Sequence, residues 1–234
     1  MRIANPASQT LLNETEFMLA TLPLDGAQVL ELGCGRAEKT RTLAASGRPA
    51  HILALEVDQI QHAKNLEQAI PRVRFAAGGA EAIPAANASI DIVLMFKSLH
   101  HVPLEVMDQA FDEIARVLKP GGLAWISEPV YAGELNEVFK LFNDEKIVRE
   151  AAFAALCRAL ERGPLQLKEQ FFFDTRSHFD DFAQFDARML RVTHTDHQLS
   201  PALYAAVQEK FSQFLTPDGA TFRNPQRVDL LLRA

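Results

Sequence analysis

Along the first 130 residues, short unbroken apolar runs alternate with longer stretches whose apolar positions recur every three to four residues. The short runs predict buried strands and the longer ones amphipathic helices. Leu11, Leu12, Thr15, Met18 and Leu19 share one face of a predicted leading helix that stops near Pro23. Strands are predicted at 28–32 (QVLEL), 51–56 (HILALE), 73–76, 90–96 (IDIVLMF) and 123–127 (LAWIS). Helices are predicted at 37–46, closed by Gly47, and at 58–70, with Ile60, Ala63, Leu66 and Ala69 inward and Pro71 as the stop. A third helix is predicted at 104–118, with Val106, Met107, Ala110, Phe111, Ile114 and Val117 on its core face. Lys119-Pro120-Gly121-Gly122 predicts a tight turn before the fifth strand.

Strands and helices alternating at this spacing imply an α/β domain with a mostly parallel sheet and helices on both faces. In such sheets ligands sit beyond the carboxyl ends of the strands, where the winding reverses. The loops after Leu32, Glu56, Ala76, Phe96 and Ser127 are therefore expected to share one crevice. After Pro129 the pattern changes. Helices are predicted over 134–162, 177–191 and 201–215, and 228–232 predicts a closing edge strand. The expected organisation is one domain over 1–234, with a cofactor-binding core at about 25–130, a helical substrate or lid region at about 132–216, and a closing strand within 219–234.

Twelve of the sixteen phenylalanines lie beyond residue 130. Phe139, Phe142, Phe153, Phe171, Phe172, Phe173, Phe179, Phe182 and Phe185 are expected to be mostly core, with a few lining a pocket. They also suit an apolar lid, which would imply an apolar or aromatic substrate, or a homodimer face.

The formal charge of -6, with no Lys/Arg cluster, lacks the footprint of a nucleic-acid binder. No run approaches ~20 apolar residues, so no membrane span is expected. No secretory signal is evident at the start, and Cys34 and Cys157 suggest neither a disulfide framework nor a zinc site. A reducing cytoplasm is the expected compartment.

The strongest local signal is Gly33-Cys34-Gly35, directly after the first strand. Glycine serves where the chain turns sharply and a ligand approaches the backbone, and the amides of this bend, with the positive end of the following helix, are expected to bind a carboxylate or phosphate. Glu56 ends the second strand 21 residues after Gly35, close to the offset of an acid that holds ribose hydroxyls. A dinucleotide oxidoreductase would continue G-x-G-x-x-G, whereas Gly33-Cys34-Gly35-Arg36-Ala37-Glu38 ends in an acid.

With these features in place, the chain resembles the class I S-adenosylmethionine (SAM)-dependent methyltransferase family, in particular its small-molecule, type 11-like branch. Four segments match in order: VLELGCG, LALEVD, GGAEAIP (78–84) and ARVLKPGGLAWISEP (115–129), together covering about residues 25–130. The resemblance implies a Rossmann-like sheet of seven strands and SAM as cofactor. It assigns Glu31, Gly33, Cys34 and Gly35 to the methionine end, Glu56 to the ribose, and Val57, Gly79, Ala80 and Glu81 to the adenine, with Phe96 beside the donor. It also marks a departure: the family commonly has an aspartate at the position of Gly79, so the backbone near Gly79 and Ala80, or Glu81, would have to substitute.

Methyl transfer from a sulfonium demands positioning of the acceptor, and a base where the acceptor carries a proton. His101 is the first candidate base or orienting group, followed by His100 and by Glu128 at the end of the fifth strand. Alternatively, one histidine packs on the backbone and the other is solvated. Tyr131 is placed to line the pocket or to support the core. Cys34 is expected to be a packing residue, and His194-Thr195-Asp196-His197 a surface turn, with no metal site predicted. The expected activity is methyl transfer to a small acceptor. Conversion of a SAM-derived metabolite and non-catalytic SAM binding are the alternatives, because fold alone does not fix function.

Overall fold

The computed structural model describes residues 1–8, 10–192 and 197–234. Its strands are β1 (Gln28–Leu32), β2 (His51–Glu56), β3 (Val73–Ala77), β4 (Ile90–Phe96), β5 (Leu118–Pro129), β6 (Leu165–Phe179) and β7 (Ala220–Arg233). Its helices are α1 (Glu14–Thr21), α2 (Glu38–Ala45), α3 (Gln59–Leu66), α4 (Met107–Val117), α5 (Glu134–Phe139), α6 (Lys146–Arg162), α7 (Phe182–Phe185) and α8 (Pro201–Ser212). The strands form one sheet in the order β3-β2-β1-β4-β5-β7-β6. β1 to β5 are parallel, and β7 runs antiparallel to both β5 and β6. The winding reverses between β1 and β4, as the alternation of elements implies, and this places the crevice at their carboxyl ends.

The strands are apolar on both sides because each side meets a different layer. Leu30, Leu32, Val93 and Met95 pack with Phe111 and Ile114 of α4 and with Leu156 of α6. Val29, Ile92, Leu94 and Trp125 pack on the other face, with Met18 of α1 and Leu43 of α2. A third core joins the far end of the β6–β7 hairpin to α5, α7 and α8 through Val138, Phe179, Phe185, Val207, Phe211 and Phe222.

Several elements depart from the sequence expectation. The 132–216 region is not helical throughout, because β6 fills Leu165–Phe179 and overlaps the helix predicted from 177. A register irregularity between Leu167 and Glu169 breaks the two-residue alternation that would have revealed this strand. β7 is longer than expected and lies inside the sheet, with β6 at the edge. Residues 119–122 lie within β5, at an irregularity in its pairing with β4. Leu11 and Leu12 precede α1. That helix starts at Glu14 because the Asn13 side chain accepts the amides of Thr15 and Glu16. Helix α4 starts at Met107, after a single 3-10 turn at Leu104–Val106.

α3 is turned about its axis relative to the expectation. Ile60 and Leu66 are 58% and 60% exposed, Ala63 and Ala69 are exposed, and Asn65 is buried. The cause is polar: Asn65 Nδ2 donates to the Gly35 carbonyl at 2.7 Å, while Asn65 Oδ1 accepts from Gln61 and Gln68. Among the described residues, no helix is long and apolar enough to cross a membrane.

Asn65→Ala should therefore destabilise the protein by about 1–3 kcal/mol, because it strands a buried carbonyl. Leu66→Ala should change stability by less than about 0.5 kcal/mol. Urea unfolding of the two variants checks the order, and a larger loss for Leu66→Ala would contradict this orientation of α3.

Candidate active site

The carboxyl ends of β1 and β4 open into a cleft of about 820 Å³. Its walls are the glycine bend, the start of α2, Phe96 and Lys97 at the end of β4, residues 11–14, and residues 175–177 of β6.

The bend is held by its own geometry. Gly33 and Gly35 have φ of +72° and +51°, and a Cβ on Gly33 would lie 2.7 Å from Ser98 Cβ. Ser98 in turn donates its hydroxyl to the Leu32 carbonyl at 2.7 Å, so the loop after β4 rests directly on the bend. The amides of Gly33 and Cys34 donate to the Leu55 carbonyl at 3.0 and 2.9 Å. Gly35 N–H donates to Glu56 Oε2 at 2.6 Å. The bend's own amides are thus spent inside the protein, contrary to the expectation that they would cradle an anion. The first turn of α2, which has no side-chain cap, is the nearest set of outward-facing donors.

Glu56 also accepts the amides of Val57 and Asp58 through Oε1, both at 2.9 Å, and is 7% exposed. The acid and the bend predicted to share a ligand are therefore in direct contact. Val57 is 63% exposed, and neither it nor Glu56, Gly79, Ala80 or Glu81 is among the described residues that line the cleft, so the loops after Glu56 and Ala76 do not share its wall as expected. Ala80 is buried, and the Glu81 carboxylate folds over Gly79, where a Cβ would overlap it.

Glu31 is 2% exposed and accepts from Thr40 Oγ1 at 2.6 Å. Burial pushes its carboxyl up to about 7, with the Thr40 bond and the Lys39 charge working against this. Burial likewise pushes the Cys34 thiol well above its usual range, helped by the charges of Glu31 and Glu56, which disfavours the thiolate that a nucleophile would need. Phe96 lies on the cleft wall, with the Lys39 ammonium 5.2 Å from its ring centre.

The three candidate catalytic residues are not among the described residues that line the cleft. His100 is 4% exposed, and its Nδ1 meets Glu128 Oε2 at 2.5 Å. Glu128 Oε1 accepts the Leu99 amide at 3.1 Å. His100 Nε2 lies 3.8 Å from Glu145 Oε2, which Arg149 bridges at 2.6 Å. Burial works against the charged Glu145, but the charges of His100 and Arg149 hold its carboxyl below the usual value. His101 is exposed, with its ring 4.2 Å from that of His100. His100, His101 and Glu145 could each offer a ligand atom within 4.8 Å, yet Arg149 already occupies the carboxylate a cation would need. This buried chain braces the loop after β4 against β5 and α6.

Tyr131 donates to Asp144 at 2.8 Å and so pins the segment after β5. Of the phenylalanines, only Phe96 is on the described cleft wall. Phe171 and Phe173 pack on Phe17 of α1, Phe153 lies under the Arg227 guanidinium, and Phe179, Phe182 and Phe185 belong to the third core. His194, Thr195 and Asp196 lie outside the described residues, and His197 packs edge-on against Phe142.

The sequence expectation missed Lys97. It has φ of +56°, a conformation costing a non-glycine residue about 1–2 kcal/mol. Its side chain opens onto the cleft, yet the protein packed around the ammonium desolvates it and holds its pKa below the ordinary lysine value. The available signal was its place directly after the β4 run, overshadowed by the paired histidines.

Because the fold raises the Glu31 pKa, the folded state retains this proton where the unfolded chain has lost it. Stability therefore falls as pH rises from about 4.5 to about 7, then levels, by an amount on the order of 3 kcal/mol. Glu31→Gln should remove this part of the slope, and urea midpoints of both proteins between pH 5 and 8 check it.

The comparisons with known proteins agree with this fold. Residues 29–122 match the family described as a methyltransferase domain. Over 105 residues the chain is 34% identical to a fatty-acid O-methyltransferase of Mycolicibacterium smegmatis, covering 44% of this chain and 37% of that protein. Over 117 residues it is 32% identical to methyltransferase GfsG of Streptomyces halstedii, covering 48% and 41%. The chain thus aligns with only about two fifths of the length of these curated relatives. A solved putative methyltransferase from Bacillus halodurans superposes with a TM-score of 0.64 at 16% identity, covering 94% of this chain and 98% of that one. Residues 29–122 thus match a methyltransferase domain, and the four ordered motifs and the sheet topology make this part of the chain similar to the class I SAM-dependent methyltransferases.

Proposed function

We propose that this chain transfers the methyl group of SAM to a small-molecule acceptor bound in the cleft. The observation that carries this reading is the 2.6 Å contact between Glu56 and Gly35 at the carboxyl ends of adjacent strands. It sets an acid suited to a ribose diol beside a bend that admits a close ligand.

The residues present fit SAM. Glu31 is a buried carboxylate on the cleft wall with Thr40 as its side-chain hydrogen-bond partner among the described residues, which suits the methionine ammonium. Val57 offers an apolar surface to the adenine. Glu81, folded over Gly79, supplies a carboxylate where the family commonly has an aspartate. When bound, SAM supplies an electrophilic methyl group that needs little activation. The protein's part is then to orient the acceptor and exclude water, which together contribute up to about 7–11 kcal/mol in well-placed systems.

His100 and Glu128 enter this reading as positioning residues that fix the loop bearing Lys97 and Ser98. His101 is given no proton transfer, since it lies off the described cleft wall. Among the described residues no histidine lines the cleft, which favours nucleophiles that are already anionic at neutral pH. The same absence keeps a second reading in view, in which the fold hosts other chemistry on the same cofactor. The solved cyclase SpnF shares this fold with a TM-score of 0.58.

Isothermal titration with S-adenosylhomocysteine is the direct test. The wild type should bind it, Glu56→Gln should weaken binding at least tenfold, and affinity should fall towards tenfold per pH unit below about 7 as Glu31 takes up its proton. Failure of the wild type to bind would defeat the proposal. Release of S-adenosylhomocysteine from SAM with an acceptor panel then separates transfer from mere binding.

A further inference from the structure

A chain of formal charge -6 opens into a cleft lined by four basic side chains, Arg36, Lys39, Lys97 and Arg176, against the acids Glu14, Glu31 and Glu38. Two of those acids are engaged within the protein. Glu14 is bridged to Lys39 at 3.3 Å and accepts a hydrogen bond from Ser127, and Glu31 is held by Thr40. Arg36 stands beside the glycine bend, at the end of the cleft assigned above to the methionine.

Two cations remain. The side chains of Lys97 and Arg176 show no hydrogen bond or ion pair within 4 Å among the described residues, although the Glu14 and Glu128 charges act on Lys97 from farther away, and they reach the cleft from different elements, the end of β4 and the edge strand β6. Ser177, next to Arg176 on the same wall, accepts from Asn224 at 2.8 Å, so its own hydroxyl proton is available to an acceptor oxygen. Leu11 and Leu12 add apolar surface. Lys97 holds its place in a backbone conformation that glycine would adopt at lower cost, so local folding does not explain a lysine there.

Resting on the methyltransferase reading, we propose that Lys97 and Arg176 form an anion subsite for the acceptor, which carries a carboxylate on an apolar body. A guanidinium fork and an ammonium suit a carboxylate's two oxygens. Bound SAM adds a sulfonium charge to the same cavity, so an anionic acceptor is drawn in while a cationic one is repelled.

The test uses the full chain saturated with S-adenosylhomocysteine and titrated calorimetrically with octanoate and with 1-octanol. Octanoate should bind at least tenfold more tightly. Lys97→Gly should lose tenfold or more in octanoate affinity, with unchanged 1-octanol and S-adenosylhomocysteine affinities and a Tm no lower than the wild type, because glycine relieves the positive φ. Arg176→Gln should weaken octanoate in the same selective way. Equal binding of octanoate and 1-octanol, or octanoate affinity untouched by both substitutions, overturns the subsite. So does a parallel loss of S-adenosylhomocysteine affinity in Lys97→Gly, which would assign the ammonium to the methionine carboxylate. A wild type that binds no S-adenosylhomocysteine overturns the methyltransferase reading itself, and the subsite with it.

Discussion

One carboxylate holds the working end of this molecule together. Glu56 ends β2, yet its two oxygens gather amides from the bend after β1 and from the turn into α3. Hydrogen bonds from several backbone amides to one buried acid form a stiff joint, since losing any of them leaves a polar group stranded in a poorly hydrated site. The position of α2 follows from the bend, and the position of α3 follows from Asn65, which reaches back to the Gly35 carbonyl. The loop after β4 is set by the same joint, because Ser98 sits against Gly33 with no room for a side chain between them.

A second polar assembly works from the opposite side. The chain Glu128, His100, Glu145 and Arg149 crosses from β5 through the loop after β4 to α6. Buried charges persist only when paired, so this arrangement ties the helical layer to the segment that presents Lys97. The two histidines after β4 are better understood as part of this brace than as chemistry at the cleft surface.

The parallel half of the sheet was legible because its strands are short, apolar on both faces and separated by clear breaks. The ligand-facing end was legible because glycine and an acid at strand ends have few structural substitutes. What escaped notice shares a cause: it depends on partners distant in the chain. β6 was hidden by a bulge and by a run of aromatics that suits either element. The facing of α3 is decided by an asparagine whose partner lies 30 residues away. Lys97 became notable only when its backbone conformation and its surroundings were known. Most of the phenylalanines were expected to be core, but which core was not legible: the far end of the β6–β7 hairpin needs its own, and Phe179, Phe185, Phe211 and Phe222 supply it.

The segment ahead of α1 lies along the outer side of β6, with Leu12 donating to the Asp174 carbonyl, Asp174 donating to that of Thr10, and Ser8 donating to that of Phe172. These contacts occupy backbone groups that an edge strand would otherwise offer to any passing chain. The same segment supplies one wall of the cleft. Trimming the protein ahead of Asn13 would therefore act twice, baring a sticky margin that invites self-association and removing the enclosure around whatever the cavity holds. Solubility and ligand retention are bound to one strip of polypeptide.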